Sequence, residues 1–423
     1  MELILIAVFI AINCYILIEY FKKDLGVFQA PFLTAAVSIS ILLPQITSIY
    51  FSEYYDNRLL YNLLFVMITC NLALKFGFEL GARKSKPNLI RDIKLLEVKP
   101  TIIVLSSIGF IASFLLRGVW MSELEGGSRS NFIVMVNLAS YLELGFIYGL
   151  VFFTKYSIRD KLIILIVVLA SLLYLESIVL LGRRNLTVRL AFNLFFAFSL
   201  IRYQSYKYIK IVVFVLFVFG GVINASIEAI RLNISNKSNE SIEFVDNFKD
   251  SFIQNDFTLG MDLGNAALGI DYCYNNDSYD YGIVIWNNFI YNFVPRFLVG
   301  EEIKEGLQVH FNYEKVLPEL TKNITTMTGY FDAFASFSYF GFIKFFLVGY
   351  ILGVFWSWSF ISSLYRIVYM LLFTQVSSVS THSTQYVFIR IEFFLLFCLP
   401  FLLYNIYKKK RVSHYKPYSL QLS

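Results

Sequence analysis

Eleven mainly apolar stretches, separated by short polar intervals, occupy most of this chain and leave little freedom in what it can fold into. A bilayer core of about 30 Å is crossed by about 20 residues of helix. On that criterion the spans are 3–20, 28–50, 59–81, 100–120, 131–154, 161–181, 186–201, 209–225, 330–356, 362–381 and 385–407. In lipid the backbone must satisfy its own hydrogen bonds, and runs of this length do so as helices. The expected class is therefore an all-α polytopic membrane protein with about 11 transmembrane helices. Composition agrees: 57% of residues are hydrophobic and 16% charged, which sets the chain apart from soluble domains.

Charge sorting gives an orientation. Lys22/Lys23, Arg83 to Lys99, Lys155/Arg159/Lys161, Arg202/Lys207/Lys210 and Lys408–Arg411 all fall on one side of an eleven-span alternation, which positive-inside bias makes cytoplasmic. The N-terminus, Gly182–Asn185, the interval 226–328 and Thr381–Thr384 then face outward, and the C-terminus inward. Residues 1–18 have no basic leader and no small-residue cleavage site, so they read as a retained first helix. The net charge of +6 is divided by side and is no signal for nucleic acid. Three segments follow: an N-terminal bundle of eight spans (1–225), a large periplasmic loop (226–329), and three C-terminal spans with a cytoplasmic tail (330–423).

The large loop holds 15 acidic residues against 7 Lys/Arg and lacks the Pro/Gly/Ser bias of disorder. Residues 226–260 read as mainly helical. Ile283–Leu298 carries Trp286, Phe289, Tyr291 and Phe293 and is broken by Pro295. It suits a helix lying in the interface or a covered re-entrant segment. Cys14, Cys70 and Cys398 sit in apolar runs and Cys273 stands alone in the loop, so no disulfide is expected.

Ionisable groups at membrane depth are costly and mark candidate sites. Arg183 and Arg184 follow span six on the outer face, where an anion would offset them: Glu176, or a phosphate matched to the planar guanidinium fork. Arg231 stands near Glu228 at i, i+3, and Arg296 follows Pro295 at the lipid–water boundary; ion pairing and snorkelling are their simpler readings. Lys344 in span nine requires a partner or a wet cavity. Arg189, Arg390 and Glu392 lie inside spans, the last two on different helix faces. Lys75 and Arg117 are close enough to helix ends to snorkel. His310 is the only histidine of the large loop and has a near-neutral pKa suited to a general base, with Asp332, Glu301 and Glu302 as competitors. His382 lies in a short outer turn and His414 in the tail. A P-loop, dinucleotide fingerprint, HExxH, nucleophile elbow or clustered metal ligands are all missing from the sequence. No cofactor is expected.

At Asn292-Phe293-Val294-Pro295-Arg296 and Thr328-Gly329-Tyr330-Phe331-Asp332, followed by Tyr339-Phe340-Gly341 and Gly349–Gly353, the chain resembles bacterial Wzy-type O-antigen polymerases. Gly182-Arg183-Arg184 resembles their mid-chain arginine turn. After Phe340-Gly341 the usual small residue is replaced by Phe342-Ile343-Lys344. The resemblance implies a membrane glycosyltransferase of the inner membrane, needing no metal. It would pass a growing glycan from undecaprenyl pyrophosphate to a lipid-linked repeat unit, with lipids and a chain-length regulator as partners. From the residues themselves, Arg183, Arg184, Arg231 and Arg296 are the expected pyrophosphate ligands, with His310 as base and Asp332 orienting an arginine. An O-antigen ligase, using the same donor, and a flippase of lipid-linked sugars are the alternatives.

Overall fold

In the computed structural model, residues 2–23, 25–51, 56–83, 262–294, 299–310, 328–361 and 363–393 are described, with isolated positions in 103–172 and residue 395. The described residues form helices and no strands. Helix α1 is Glu2–Lys22. A 3-10 turn, Gly26–Phe28, leads into α2 (Ala30–Val37), a π turn (Ser38–Leu42) and α3 (Leu43–Phe51), and α4 is Asn57–Ala82. The loop region contributes α5 (Asp262–Asn276), α6 (Ile283–Phe293) and α7 (Glu301–Gly306). Then come α8 (Gly329–Phe337), a 3-10 turn (Ser338–Gly341), α9 (Phe342–Ser359), α10 (Ser363–Thr381) and α11 (Gln385–Phe393).

Glu2–Lys22, Ala30–Phe51, Arg58–Ala82 and Gly329–Ser359 are long and apolar enough to cross a membrane. The second tolerates Pro44 because the helix widens into a π turn just before it, with Leu43 N–H donating back to Ser38 C=O. Proline has no N–H and would clash with the carbonyl four residues earlier, so the wider turn relieves both.

The helices at the centre approach backbone to backbone. Gly77 and Gly81 of α4 face Gly349 and Gly353 of α9. A Cβ on any of the four would run into a carbonyl oxygen of the facing helix: Phe346, Tyr350, Leu74 and Phe78 in turn. Small residues four apart on both helices are what such close packing in lipid requires. The register rises together on both helices, so α4 and α9 run parallel. Helix α1 runs the same way, through Asn13 against Asn71 and Tyr20 against Glu79. Lys75 does not snorkel. It is buried between Glu19 at 3.2 Å and Glu79 at 3.1 Å, while Lys23 meets Glu19 at 2.6 Å.

The ninth apolar stretch is not one straight helix. Ser338 takes φ 53° and ψ −138°, and the chain folds back on itself there. Tyr330 consequently stacks on Phe345, with ring centroids 5.1 Å apart, although fifteen residues of continuous helix would separate them by about 22 Å. Gly341 lies against the Ala333 carbonyl, where a side chain would not fit. Helix α9 alone, 18 residues and about 27 Å, is the portion long enough to approach the thickness of a bilayer core.

Part of the large loop is buried within the bundle. Helix α5 sinks Leu263, Ala266, Ala267, Ile270 and Cys273 against α4 and α8, and Gln45 of α3 accepts from the Leu263 N–H at 3.1 Å. Cys273 is a core residue whose thiol burial pushes up to about 12. Helix α6, 11 residues and about 16 Å, is too short to span. It stacks Trp286, Phe289 and Phe293 along one face, with Trp286 exposed.

Candidate functional site

The segment Thr328-Gly329-Tyr330-Phe331-Asp332 builds the site, and each residue has a physical task. The Thr328 hydroxyl caps α8 by accepting from Phe331 N–H at 3.4 Å. Gly329 admits the Val379 carbonyl of α10 where any Cβ would collide. Tyr330 is fully buried, and its hydroxyl donates to Asn71 Oδ1 at 2.9 Å. Asn71 in turn donates to Asn13 Oδ1 and to Ser38 Oγ, both at 3.0 Å. That buried polar chain ties α8 to α1, α4 and the π turn, and a satisfied network of this kind fixes one arrangement of helices. The Phe331 ring covers Gly269 of α5.

Asp332 is left at the convergence of α8, α9 and the turn between α10 and α11. Its Oδ1 accepts from Lys344 Nζ at 2.9 Å, and Lys344 also donates to the Asp332 carbonyl at 3.1 Å. Oδ2 accepts from Ser383 Oγ and Thr384 N, each at 3.0 Å, and from Thr384 Oγ1. The side chains of Lys344 and Asp332 are 2% and 11% exposed. Lys344 sits in the first turn of α9, the positive end of a helix, where a cation is disfavoured; the carboxylate compensates. Asp332 meanwhile lies at two helix N-termini, its own and that of α11, which suit an anion.

A second carboxylate stands behind the break. Asp280 and Tyr281 donate their N–H groups to the carbonyls of Ala335 (2.8 Å) and Ser336 (3.1 Å), closing the C-terminal end of α8. Asp280 is buried, accepts from Gly282 N–H at 2.8 Å, and burial raises its pKa above the ordinary aspartate value, with Lys344 and Ser336 opposing. Ser338 donates to the Tyr279 hydroxyl at 3.3 Å across the same turn. Helix α6 closes the side of the site: Asn288 donates to Gln385. Helix α7 is strapped to α6 by Asn287 and Val309, which exchange two hydrogen bonds of 2.8 and 2.9 Å, and by Lys304 on the Tyr291 carbonyl at 3.0 Å.

Of the residues singled out from sequence, the structure brings Asp332 and Lys344 together. The partner of Asp332 among the described residues is this lysine. His310 lies exposed after α7, as do Glu301 and Glu302 on it. Arg183, Arg184, Arg231 and Arg296 lie outside the described residues. Ser383, Thr384 and Asp280 were not anticipated: nothing local in Ser383-Thr384 marks them as carboxylate ligands, since their partner is some fifty residues away. Comparison with known proteins finds no matching family model, curated protein or solved structure.

Proposed function

We propose that the chain is an integral-membrane glycosyltransferase of the oligosaccharide-polymerising kind, acting at the outer face of the bacterial inner membrane. The donor would be a glycan on undecaprenyl pyrophosphate and the acceptor a lipid-linked repeat unit. One observation carries the reading. The segment resembling the polymerase motif forms a rigid polar centre where α8, α9 and the α10–α11 turn converge, beside the aromatic helix α6. An amphiphilic pyrophosphate at a membrane surface needs such a polar site at the end of apolar helices.

The orientation follows the charge sorting, with the N-terminus periplasmic and the C-terminus cytoplasmic. The five spans read from sequence between α4 and α9 would return the chain to the side from which α4 began, in keeping with the parallel run of these helices. Breaking a sugar–pyrophosphate bond requires stabilising the negative charge that develops on the leaving group, and arginines preorganised in a dry site do this. Arg183, Arg184 and Arg296 take that role, with Arg231 a weaker member. Asp332 positions rather than reacts, because its carboxylate is paired with Lys344 and held by Ser383 and Thr384. The lipopolysaccharide banding of a deletion strain tests the reading: a single repeat on core supports a polymerase, while unsubstituted core points to a ligase or flippase.

A further inference from the structure

Building on the glycosyltransferase reading, we propose that His382 is the general base that deprotonates the acceptor hydroxyl. The histidine occupies the turn joining α10 to α11, directly beside the Asp332 anchor. Its N–H and that of Ser383 both donate to the Ser378 carbonyl, at 2.8 and 3.0 Å, closing the end of α10. The next two residues are held by Asp332. The backbone at His382 is therefore fixed on both sides.

The hydrogen bonds also select the tautomer. Thr381 Oγ1 donates its single proton to the Ser377 carbonyl at 3.0 Å. Towards His382 Nδ1, 2.8 Å away, the same oxygen can only accept. Nδ1 thus carries the ring proton and Nε2 presents a lone pair, the arrangement a base requires. The ring is half-buried, and Tyr386 meets it edge-on at 6.0 Å. Burial lowers its pKa below the ordinary histidine value, so the imidazole is neutral at pH 7.

Burial, not a neighbouring charge, is the cause of that shift. Titratable groups on the neighbouring elements are Tyr330 and Asp332 on α8, Lys344 and Tyr350 on α9, Asp277, Tyr279, Asp280 and Tyr281 in the loop after α5, and Tyr291 on α6. On α11 they are Tyr386, Arg390 and Glu392, and on α10 Tyr365, Arg366 and Tyr369 at its far end. Asp332, the nearest carboxylate along the turn, is already paired with Lys344. His310, in contrast, lies exposed on the α6–α7 unit.

In the reaction, the acceptor oxygen bonds to the anomeric carbon as its proton passes to Nε2. The bond from that carbon to the pyrophosphate oxygen breaks, and its electron pair leaves with undecaprenyl pyrophosphate. The imidazolium then releases its proton to water at the outer face.

The test uses the purified full-length protein and a synthetic undecaprenyl-pyrophosphate-linked repeat, with initial rates followed across pH. The parental protein should lose rate on acidification with a midpoint below 6.5, the ordinary histidine value. His382→Gln should lower kcat about 10²–10⁴-fold, with KM and melting midpoint unchanged and the acid limb gone. Thr381→Val, isosteric but unable to hold Nδ1–H, should lower kcat and keep the limb. Parental kcat and an intact limb in His382→Gln would overturn the assignment while leaving the glycosyltransferase reading standing. A parental protein that makes no polymer would overturn both.

Discussion

Removing the Asp332 carboxylate strands a lysine. In Asp332→Asn, Lys344 keeps the backbone carbonyl at 3.1 Å but loses the anion at 2.9 Å, with its side chain only 2% exposed. Breaking one side of a buried pair costs about 3–5 kcal/mol, because the surviving charge stays desolvated. Lys344→Met strands the carboxylate instead, yet Ser383 and Thr384 still donate to it, so the loss should fall at the low end of that range. The double variant carries neither charge, and replacing a buried pair by neutral groups of similar volume is often close to neutral. It should lie within about 2 kcal/mol of the parent, giving a coupling energy of about 4 kcal/mol or more. Equilibrium unfolding in mixed micelles, driven by SDS titration and followed by circular dichroism, measures all four proteins. Additive losses, with coupling under about 0.5 kcal/mol, would refute the claim that the two charges stabilise one another.

The helix contact predicts that Gly349→Ala costs about 1–3 kcal/mol by overpacking against the Leu74 carbonyl. Gly306→Ala, with open space around it, should change stability by less than about 0.5 kcal/mol in the same titration. Asp280 has a raised folded pKa, so its contribution is present below the unfolded value near 3.8 and is lost as pH rises through the folded value. Melting midpoints of the parent and Asp280→Asn should therefore agree near pH 3.5 and separate as pH rises, with the Asn protein the more stable; the reverse order would contradict burial as the controlling effect. Arg296→Lys keeps the charge but loses the bidentate fork, so polymer yield should fall at normal expression. Reporter fusions after Lys237 and Lys410 should report periplasmic and cytoplasmic locations respectively.

Helix existence was legible because apolar runs of bilayer length have few other solutions: the ends of α1, α3, α4 and α10 lie within about two residues of the spans read from sequence. The break at Ser338 was not legible. Gly329–Ser359 is apolar throughout, and hydropathy carries no information about a left-handed residue in its middle. Gly341 hinted at a close approach, but only the fold shows that it meets Ala333. Helix α5 escaped notice for a related reason. Its polar surroundings placed it in a loop, while Gly264, Ala266, Ala267 and Gly269 gave it a small-residue face that packs without raising mean hydropathy. The need of Lys344 for a partner was legible from desolvation cost alone. The identity of that partner was not, because the chain reversal that delivers Asp332 lies between them.

Polymerisation is tested most directly by what the protein does with a lipid-linked repeat. Purified protein in proteoliposomes, supplied with the synthetic undecaprenyl-pyrophosphate-linked unit and without added metal or nucleotide, should yield a ladder of lipid-linked products, each longer by one repeat, with release of undecaprenyl pyrophosphate. Unchanged substrate on the outer leaflet, or glycan appearing only on added lipid A core, would contradict it.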